Sequence, residues 1–266
     1  PYNGRPACIH QRSCVGHRCP IDAKCGTQNT VIPVALASGN CELRIRAMVT
    51  GLRVDDAGKL RGVAYVDEND EVHEVDAKVV VLALGSNATA RLLLTSTSKL
   101  FPHGAGNNHD VVGRNITSHA YVDARGFVDD DIYEEAGPGC GVAFMDYSHD
   151  NPGFICGGVL HTDFVFSPSI FAQGAFPGVP RWGRANKDFI RTHYRRMIRI
   201  CGPHLQTPRW ENRLRLDPKR TDAWGLPLLV AEGREHPNDA KARRFMSDRA
   251  KDLIAACGAK LIQQNY

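Results

Sequence analysis

The stretch Lys78-Val79-Val80-Val81-Leu82-Ala83-Leu84-Gly85-Ser86-Asn87-Ala88-Thr89-Ala90-Arg91-Leu92-Leu93-Leu94-Thr95-Ser96 decides the fold class of this 266-residue chain. Residues 79–84 are continuously apolar, and the run begins with β-branched residues, which predicts a strand buried on both faces of a sheet. Gly85 ends that strand, and residues 87–96 are predicted to form a helix with Ala88, Leu92 and Leu93 on one side. A buried parallel strand that passes through glycine into a helix places backbone amides near a ligand, so the stretch predicts an α/β fold.

The residues before this stretch predict a small antiparallel meander. Strand patterns cover residues 42–46, 49–54, 60–66 and 71–75, and turn-forming residues separate the last three of them. Further upstream, residues 1–26 are rich in Cys, His, Gly and Pro and are predicted to be irregular. Residues 30–38 suit a short helix that ends at Gly39-Asn40.

The second half of the chain mixes strand and helix patterns. Residues 121–128, 197–200, 213–216 and 228–230 are predicted strands, and residues 186–194 suit a helix. The longest helix is predicted near the C-terminus, where Asn238 or Asp239 caps it and Gly258 ends it. We therefore expect an α/β chain whose second part is α+β, with one domain over residues 1–117 and a sheet-and-helix domain over residues 118–266.

The composition is that of a globular protein, with 42% apolar residues, 23% charged residues and a net charge of +4. No apolar run reaches the roughly 18 residues that a membrane-spanning helix needs, so no membrane span is predicted. Basic residues are interspersed with acids, apart from a short cluster within residues 191–199. A nucleic-acid groove needs a denser basic stripe, so a solvated face and no nucleic-acid partner are the prediction.

Nine cysteines, an odd number, argue against a secreted disulfide scaffold and favour a reducing compartment such as the cytoplasm, although the sequence does not fix a location. Four of them lie within 18 residues, near two histidines: Cys8, Cys14, Cys19, Cys25, His10 and His17. The C-x5-C-x4-C spacing of the first three does not match a pair of C-x2-C zinc knuckles. Three interpretations stay open: a metal cluster, a zinc ion, and reduced structural thiols.

Residues 81–96 resemble the second signature of the glucose–methanol–choline (GMC) flavoprotein oxidoreductases. In that signature a strand ends in a small-x-Gly turn, and a Thr-containing helix with paired aliphatic residues follows. The chain departs from it at Ala90, where Pro or Ser is usual, and after Ser96, where Thr97-Ser98 replaces a closing Ser-Gly. Alanine at this position is familiar in the branch that resembles gluconate and sugar dehydrogenases.

Further segments are similar to the same family, in the same order along the chain. Cys19-Pro20-Ile21-Asp22-Ala23-Lys24 resembles its Cys-Pro-x-x-Ala-Lys segment, and residues 43–49 resemble the strand and bend that hold adenine. Residues 112–119 resemble its Val-Gly-x-Asn-Leu-x-x-His motif. Residues 211–217 and 224–227, followed by the C-terminal helix, resemble the end of its substrate domain.

The resemblance implies a flavin-dependent oxidoreductase that acts on the CH–OH group of an alcohol, a sugar or a sugar acid, with FAD as its cofactor. The family holds the adenine with the backbone of a valine, and Val49 is the matching residue. Ala83 and Gly85 would complete the adenosine side of the site. On this basis residues 1–117 are an incomplete FAD-binding domain with a Cys-rich loop, and residues 118–266 are the substrate-binding domain.

The resemblance also bears on the cysteines. Some sugar dehydrogenases of the family hold an iron–sulfur cluster in this segment, which would make Cys8, Cys14 and Cys19 its thiolate ligands. For His119, a hydrogen-bonded structural role is favoured over proton transfer, because a general base needs reach to the substrate.

Two parts that the family's chemistry needs have no counterpart here. The nearest match to its Gly-x-Gly-x-x-Gly pyrophosphate loop, Gly104-Ala105-Gly106, follows no predicted strand and opens no predicted helix. The family's catalytic pair, a histidine with a second His or Asn, lies in a C-terminal segment after the position of Tyr266, and the chain lacks a starting Met. We expect the middle portion of a longer protein, inactive alone, that missing segments or a partner subunit complete. The alternative is a non-catalytic truncated or split subunit that binds a metal or a cluster.

Overall fold

The computed structural model describes residues 4–11, 14, 16–132, 137, 139–163, 168–174 and 176–265. The helices are α1 (Val31–Ala37), α2 (Gly85–Thr95), α3 (Pro168–Gln173), α4 (Gly183–His193) and α5 (Pro237–Ala256). The strands are β1 (Met48–Val54), β2 (Leu60–Val66), β3 (Val72–Asp76), β4 (Ala120–Phe127), β5 (Ala143–Phe144), β6 (Leu160–Thr162), β7 (Met197–His204), β8 (Arg213–Thr221), β9 (Pro227–Glu232) and β10 (Lys260–Asn265). This mixture of helices and antiparallel sheets confirms the predicted α/β class.

The chain divides into two compact units, each made of separate stretches. The small unit contains Glu42–Thr117 and Thr207–His236, and the large unit contains Pro1–Cys41, Ser118–Gln206 and Pro237–Tyr266. The predicted domain boundary between residues 117 and 118 is also a point where the chain passes from one unit to the other. The roles assigned to residues 1–117 and 118–266 stay predictions.

In the small unit, β1, β2 and β3 form the predicted antiparallel meander. The predicted strand over residues 42–46 is wrong, because this segment is irregular and Arg46 has a left-handed φ of 53°. Its alternating side chains reach the meander surface instead. Arg44 donates to the hydroxyl of Tyr65 at 2.9 Å, and Arg46 pairs with Glu68 at 2.5 Å. An irregular segment whose alternate side chains are anchored to a neighbouring surface thus shows the same alternation of polar and apolar residues as a strand.

The prediction of a doubly buried strand before Gly85 is also wrong. Among the described residues no strand pairs with residues 79–83, and Val79 and Val81 are 76% and 83% exposed. A central strand needs hydrogen-bonding neighbours on both edges and covered faces above and below. The described chain supplies neither, so the apolar run remains extended and exposed.

Helix α2 follows that segment and is confirmed, but a different face of it is buried. Its buried residues are Ala90, Leu92 and Leu94, whereas Ala88 is exposed. Burial is confined to the second half of the helix, which packs against β1 and the β8–β9 hairpin. The helix therefore presents its first turns to solvent and is held by its last ones.

The β8–β9 hairpin extends the two short strands predicted over residues 213–216 and 228–230. Between Leu216 and Thr221 the register of β8 shifts, and Asp217 closes the irregularity by accepting from the amides of Lys219 and Arg220 at 2.9 and 3.0 Å. These two amides, and then the Arg220 guanidinium, lower the pKa of Asp217 from 3.8 to about 2.

Asp217→Asn tests this carboxylate without removing its acceptor oxygen. When the pKa of a carboxyl group is lower in the folded than in the unfolded protein, the ionised group stabilises the fold. This contribution is complete above the pKa of the unfolded protein and is lost as the pH falls toward the pKa of the folded protein. We expect the urea midpoint of the wild type to exceed that of the variant near pH 7, and the difference to shrink as the pH falls from about 4 toward 2. A difference that stays constant with pH would show that the charge is not the cause.

In the large unit, five antiparallel strands follow the order β10-β4-β7-β6-β5. Helix α5 covers one face, and together they form a core of Val122, Ala124, Leu160, Ile200, Met246, Ala250 and Ile254. The predicted C-terminal helix is confirmed, including Gly258 with φ 73° directly after it. Its start is earlier than predicted, at Pro237, and Asn238 in its first turn exchanges hydrogen bonds with the backbone of Ile155. Strand β10 was not predicted.

An aromatic cluster closes the end of this sheet where β4 finishes. Phe127 packs with Phe171, Phe176, Tyr194 and Met197, and α4 adds further rings. None of the described helices has both the length and the hydropathy to cross a bilayer.

Candidate functional site

The start of α2 is the first candidate for a ligand site. Leu84 precedes it without a side-chain capping hydrogen bond, so the first amides of the helix keep their N–H groups for other acceptors. Gly85 has φ +77°, and a Cβ there would have no protein atom within 4 Å. Unpaired amides and the positive end of the helix dipole favour an anionic or strongly accepting ligand.

The three residues predicted for the adenosine side all belong to the small unit. Val49 lies on β1, half-buried and opposite Tyr65, and β1 is an edge strand of the meander. Ala83 and Gly85 are exposed at the junction between the extended segment and α2. An edge strand leaves part of its backbone without partners in the sheet, which is what backbone recognition of a ligand needs. Whether these three residues bind a ligand stays a prediction.

Side-chain hydrogen bonds fix α2 on its support. The hydroxyl of Ser96 accepts from the amide of Leu52 at 2.9 Å and donates to the carbonyl of Leu92 at 2.6 Å. Arg91 pairs with Asp222 at 2.7 Å and donates to the carbonyls of Leu226 and Pro227 at 2.8 and 2.7 Å. These contacts join the helix to β1 and to the β8–β9 hairpin and make it a rigid platform.

The second candidate is the sheet face of the large unit that α5 does not cover. Ala143, His161, Cys201, Asp123 and Asn265 are cross-strand partners in one row over all five strands. Because direct cross-strand partners share a face, their side chains lie on the same side of the sheet. The core residues alternate with them and face α5, so one sheet has an apolar face and a polar face.

An ionic network adjoins this row, and we call the five cross-strand partners, together with Arg125, Arg199 and Asp163, the polar row. Arg199 pairs with Asp123 at 2.8 Å and with Asp163, and Arg125 also pairs with Asp123, at 3.0 Å. Asp123 and Asp163 are 7% and 8% exposed, so these carboxylates are buried beside guanidinium groups. Burial acts to lower the pKa of Arg199, but the two carboxylates outweigh it and raise that pKa. The network holds these donors and acceptors in fixed positions that are largely shielded from bulk water.

Two thiols flank the imidazole of His161 on the same row. Its Nδ1 lies 3.4 Å from the sulfur of Cys140 and 4.0 Å from that of Cys201. Burial raises the pKa of Cys201 to about 12, so this thiol stays protonated. Cys140 is exposed and, together with Asp163, Arg199 and residues at the end of α5, lines a mainly apolar cavity of about 580 Å³ at the edge of the sheet.

The predicted metal ligands Cys8, Cys14 and Cys19 line one small cavity of about 20 Å³ in the large unit. The amide of Lys24, followed by that of Ile21, lowers the pKa of Cys19, which favours its thiolate. Within the described ranges, however, the three sulfurs do not converge within 4.8 Å of one another, and one other set of three side chains does. The structure thus gathers the three cysteines around one cavity, and their ligand role stays a prediction.

His119 is exposed, and the centroids of its ring and the Tyr121 ring are 6.2 Å apart. Sequence reasoning missed the polar row, although its signal is present. Asp123 and Arg125 alternate with Val122 and Ala124 along β4, and Arg199 and Cys201 alternate with Ile200 along β7. Charged residues at every second position of a strand whose other positions are apolar indicate a polar face that other groups cover.

Comparison with known proteins gives a consistent result. Residues 3–121 match the GMC oxidoreductase family model. The 6'''-hydroxyparomomycin C oxidase of Streptomyces lividus is 28% identical over 270 residues, which are 99% of this chain and 46% of that protein. The 2-methyl-1,2-propanediol dehydrogenase of Mycolicibacterium austroafricanum is 29% identical over 235 residues, 85% of this chain and 42% of that protein.

The fructose dehydrogenase large subunit of Gluconobacter japonicus is 26% identical over 270 residues, 99% of this chain and 48% of that protein. The chain therefore spans a little less than half the length of each of these relatives. Both the motifs over residues 81–96 and the match that begins in the cysteine-rich segment agree with this relationship. Over residues 3–121 the chain resembles the GMC oxidoreductase family, and over most of its length it is similar to relatives that are named as oxidases and sugar dehydrogenases.

Proposed function

We propose that this chain is part of an FAD-dependent oxidoreductase that acts on the CH–OH group of an alcohol, a sugar or a sugar acid. The observation that carries the proposal is the open N-terminus of α2 at Gly85, inside the segment that matches the family. The chain contributes the adenosine side of the cofactor site and most of the substrate domain.

The residues of the small unit fit the adenosine side of FAD. Val49 offers backbone groups of an edge strand to the adenine, while Ala83 and Gly85 keep the approach to the first turn of α2 free of bulk. With FAD held there, the flavin would supply hydride-accepting chemistry toward the substrate CH–OH group. The role of α2 is electrostatic and positional, since its free amides attract phosphate oxygens.

The polar row of the large unit is our proposal for substrate recognition. A polyol or sugar presents several hydroxyl groups that both donate and accept hydrogen bonds. Arg199 and Arg125 supply donors, and Asp123 and Asp163 supply acceptors, in fixed positions. The relatives are named for 6'''-hydroxyparomomycin C, 2-methyl-1,2-propanediol and fructose, which supports a hydroxylated substrate.

Sequence outside this chain, or a partner subunit, would supply the pyrophosphate loop and the catalytic histidine. Two observations support this proposal. The matched relatives are about twice as long as the chain, and the extended segment before Gly85 leaves Val79, Val81 and Leu84 exposed. Additional strands beside residues 79–83 would pair its backbone and cover its apolar side chains.

The chain purified alone is expected to be colourless and inactive. Without a pyrophosphate loop, most of the contacts that hold FAD are missing. Its absorption spectrum should show far less than one flavin per chain. A stoichiometric yellow flavin spectrum from the chain alone would contradict the proposed division of the site.

Adenosine binding is tested separately with ADP as the probe. ADP should shift the NMR amide signals of Val49 and of the first turn of α2, and Gly85→Ala should weaken that effect because its methyl group occupies the approach. Gly225→Ala is the matched control, since Gly225 has φ +76° and equally open surroundings in the same unit. If both variants respond to ADP like the wild type, ADP does not bind beside Gly85 at the start of α2 as proposed.

A second function rests on the cysteine cavity. Cys8, Cys14 and Cys19 surround one cavity, and Cys19 is biased toward its thiolate, so the chain could bind an iron–sulfur cluster. Anaerobic incubation with iron and sulfide should then give a brown chain with bound iron, and Cys19→Ser should lose it. A colourless product with no bound iron would leave the thiols as structural residues.

A further inference from the structure

We propose that the β2–β3 hairpin of the small unit binds a divalent transition-metal cation through Asp67, Glu71 and His73. One donor atom from each of these residues lies within 4.8 Å of the other two. The set is separate from the residues assigned above to FAD, to the substrate and to the iron–sulfur cluster.

The geometry of the hairpin fixes the position of the Asp67 carboxylate, which is the first ligand. The backbone closes between Asp67 and Glu71, with the amide of Asp67 donating to the carbonyl of Glu71 at 3.1 Å. One oxygen of the Asp67 carboxylate accepts from the amides of Asn69 and Glu71 at 2.8 and 3.0 Å. Its other oxygen is thereby held 2.9 Å from Nε2 of His73. An oxygen and an imidazole nitrogen at this separation can coordinate the same cation.

The imidazole distinguishes this set from an ordinary group of surface carboxylates. His73 is the cross-strand partner of Tyr65, and the two rings stack with centroids 5.1 Å apart and planes inclined by 21°. The hydroxyl of Tyr65 accepts from Arg44 at 2.9 Å, which fixes the ring below the histidine. The direction of Nε2 is therefore set before any ligand arrives, and less conformational entropy is lost on binding.

The charge around the hairpin favours a cation. Residues 67–76 include six acidic residues and no lysine or arginine. Glu68 pairs with Arg46, and Glu74 pairs with Arg53. In the described part of the chain, no lysine or arginine forms an ion pair with Asp67 or Glu71.

The donor set indicates which cations fit. Two carboxylates and one imidazole suit first-row ions such as Mn²⁺ and Zn²⁺, and water would complete the coordination of this half-exposed site. Mn²⁺ is the better probe here, because carboxylate and water ligands suit it, whereas the nine cysteines would compete for Zn²⁺.

The test is a Mn²⁺ titration of the full chain, followed by the electron paramagnetic resonance signal of free Mn²⁺. We expect one ion per chain, with paramagnetic broadening confined to the NMR signals of the β2–β3 hairpin. His73→Phe keeps an aromatic ring against Tyr65 but removes the nitrogen, and Glu71→Gln removes one carboxylate. Each should weaken binding by about tenfold or more.

Asp70→Asn is the matched control. It removes one negative charge from the same turn, and asparagine tolerates its left-handed φ of 63°. This variant should bind Mn²⁺ within about threefold of the wild type, because a nearby solvated charge is screened. The proposal is overturned if the wild type does not bind Mn²⁺, or if Asp70→Asn weakens binding as much as His73→Phe does.

Discussion

Arg199→Met is expected to lower the free energy of unfolding by about 3–5 kcal/mol. The guanidinium lies between Asp123 and Asp163, which are 7% and 8% exposed. Methionine keeps much of the side-chain length but removes this counter-charge from Asp163 and one of the two guanidinium groups that pair with Asp123, leaving Arg125. Removing one partner of a buried ion pair is costly because the remaining charge stays poorly solvated.

Urea unfolding near neutral pH measures this effect, and Arg196→Met is the control. Arg196 lies three positions away and pairs with Asp131 at 2.9 Å, but both side chains are well exposed. Its loss should cost less than about 1 kcal/mol. If Arg199→Met is as mild as the control, the polar row is solvated and cannot be the rigid recognition surface that we propose.

Gly202→Ala is expected to cost about 3 kcal/mol or more, because it overpacks the sheet where nothing can yield. A Cβ at Gly202 would lie 1.7 Å from the carbonyl oxygen of Val159. That oxygen belongs to backbone, and the amide of Val159 is itself bonded to the carbonyl of Pro203 at 3.2 Å. Relief would therefore require β7 to separate from its neighbour.

Gly141→Ala is the comparison in the same unit, since a Cβ at Gly141 would meet no atom within 4 Å. It should change the urea midpoint little, whereas Gly202→Ala should shift it strongly or prevent folding. Similar midpoints for the two variants would mean that the close approach between residues 159 and 202 is absent in solution.

The sequence predicted best the elements whose hydrogen bonds are local or join adjacent segments. Helix α5 shows its apolar period and its closing Gly258, and the β1–β2–β3 meander has short turns between alternating strands. The strand prediction for residues 79–83 was wrong for the opposite reason. An apolar, β-branched run specifies that something must cover it, but the partner strands are not encoded in the run itself.

The candidate site divides in the same way. Gly85 was predicted from a motif, since a glycine between an apolar run and a helix is a local signal. The row that contains His161, Cys201 and Asp123 was not, because it depends on which strands become neighbours, and β5 and β6 are too short to show a period. Asp67, Glu71 and His73 were missed as well, since their convergence follows from the register of the β2–β3 hairpin.

The contact between Arg91 and Asp222 has a consequence for synthesis of the chain on the ribosome. The two residues are 131 positions apart, because the small unit is completed by residues that follow most of the large unit. At a synthesis rate of about 5–20 residues per second, roughly 7–26 s pass between the synthesis of α2 and that of the β8–β9 hairpin. During that interval the apolar half of α2 lacks the cover of the β8–β9 hairpin, so the nascent chain exposes apolar surface that the finished small unit buries.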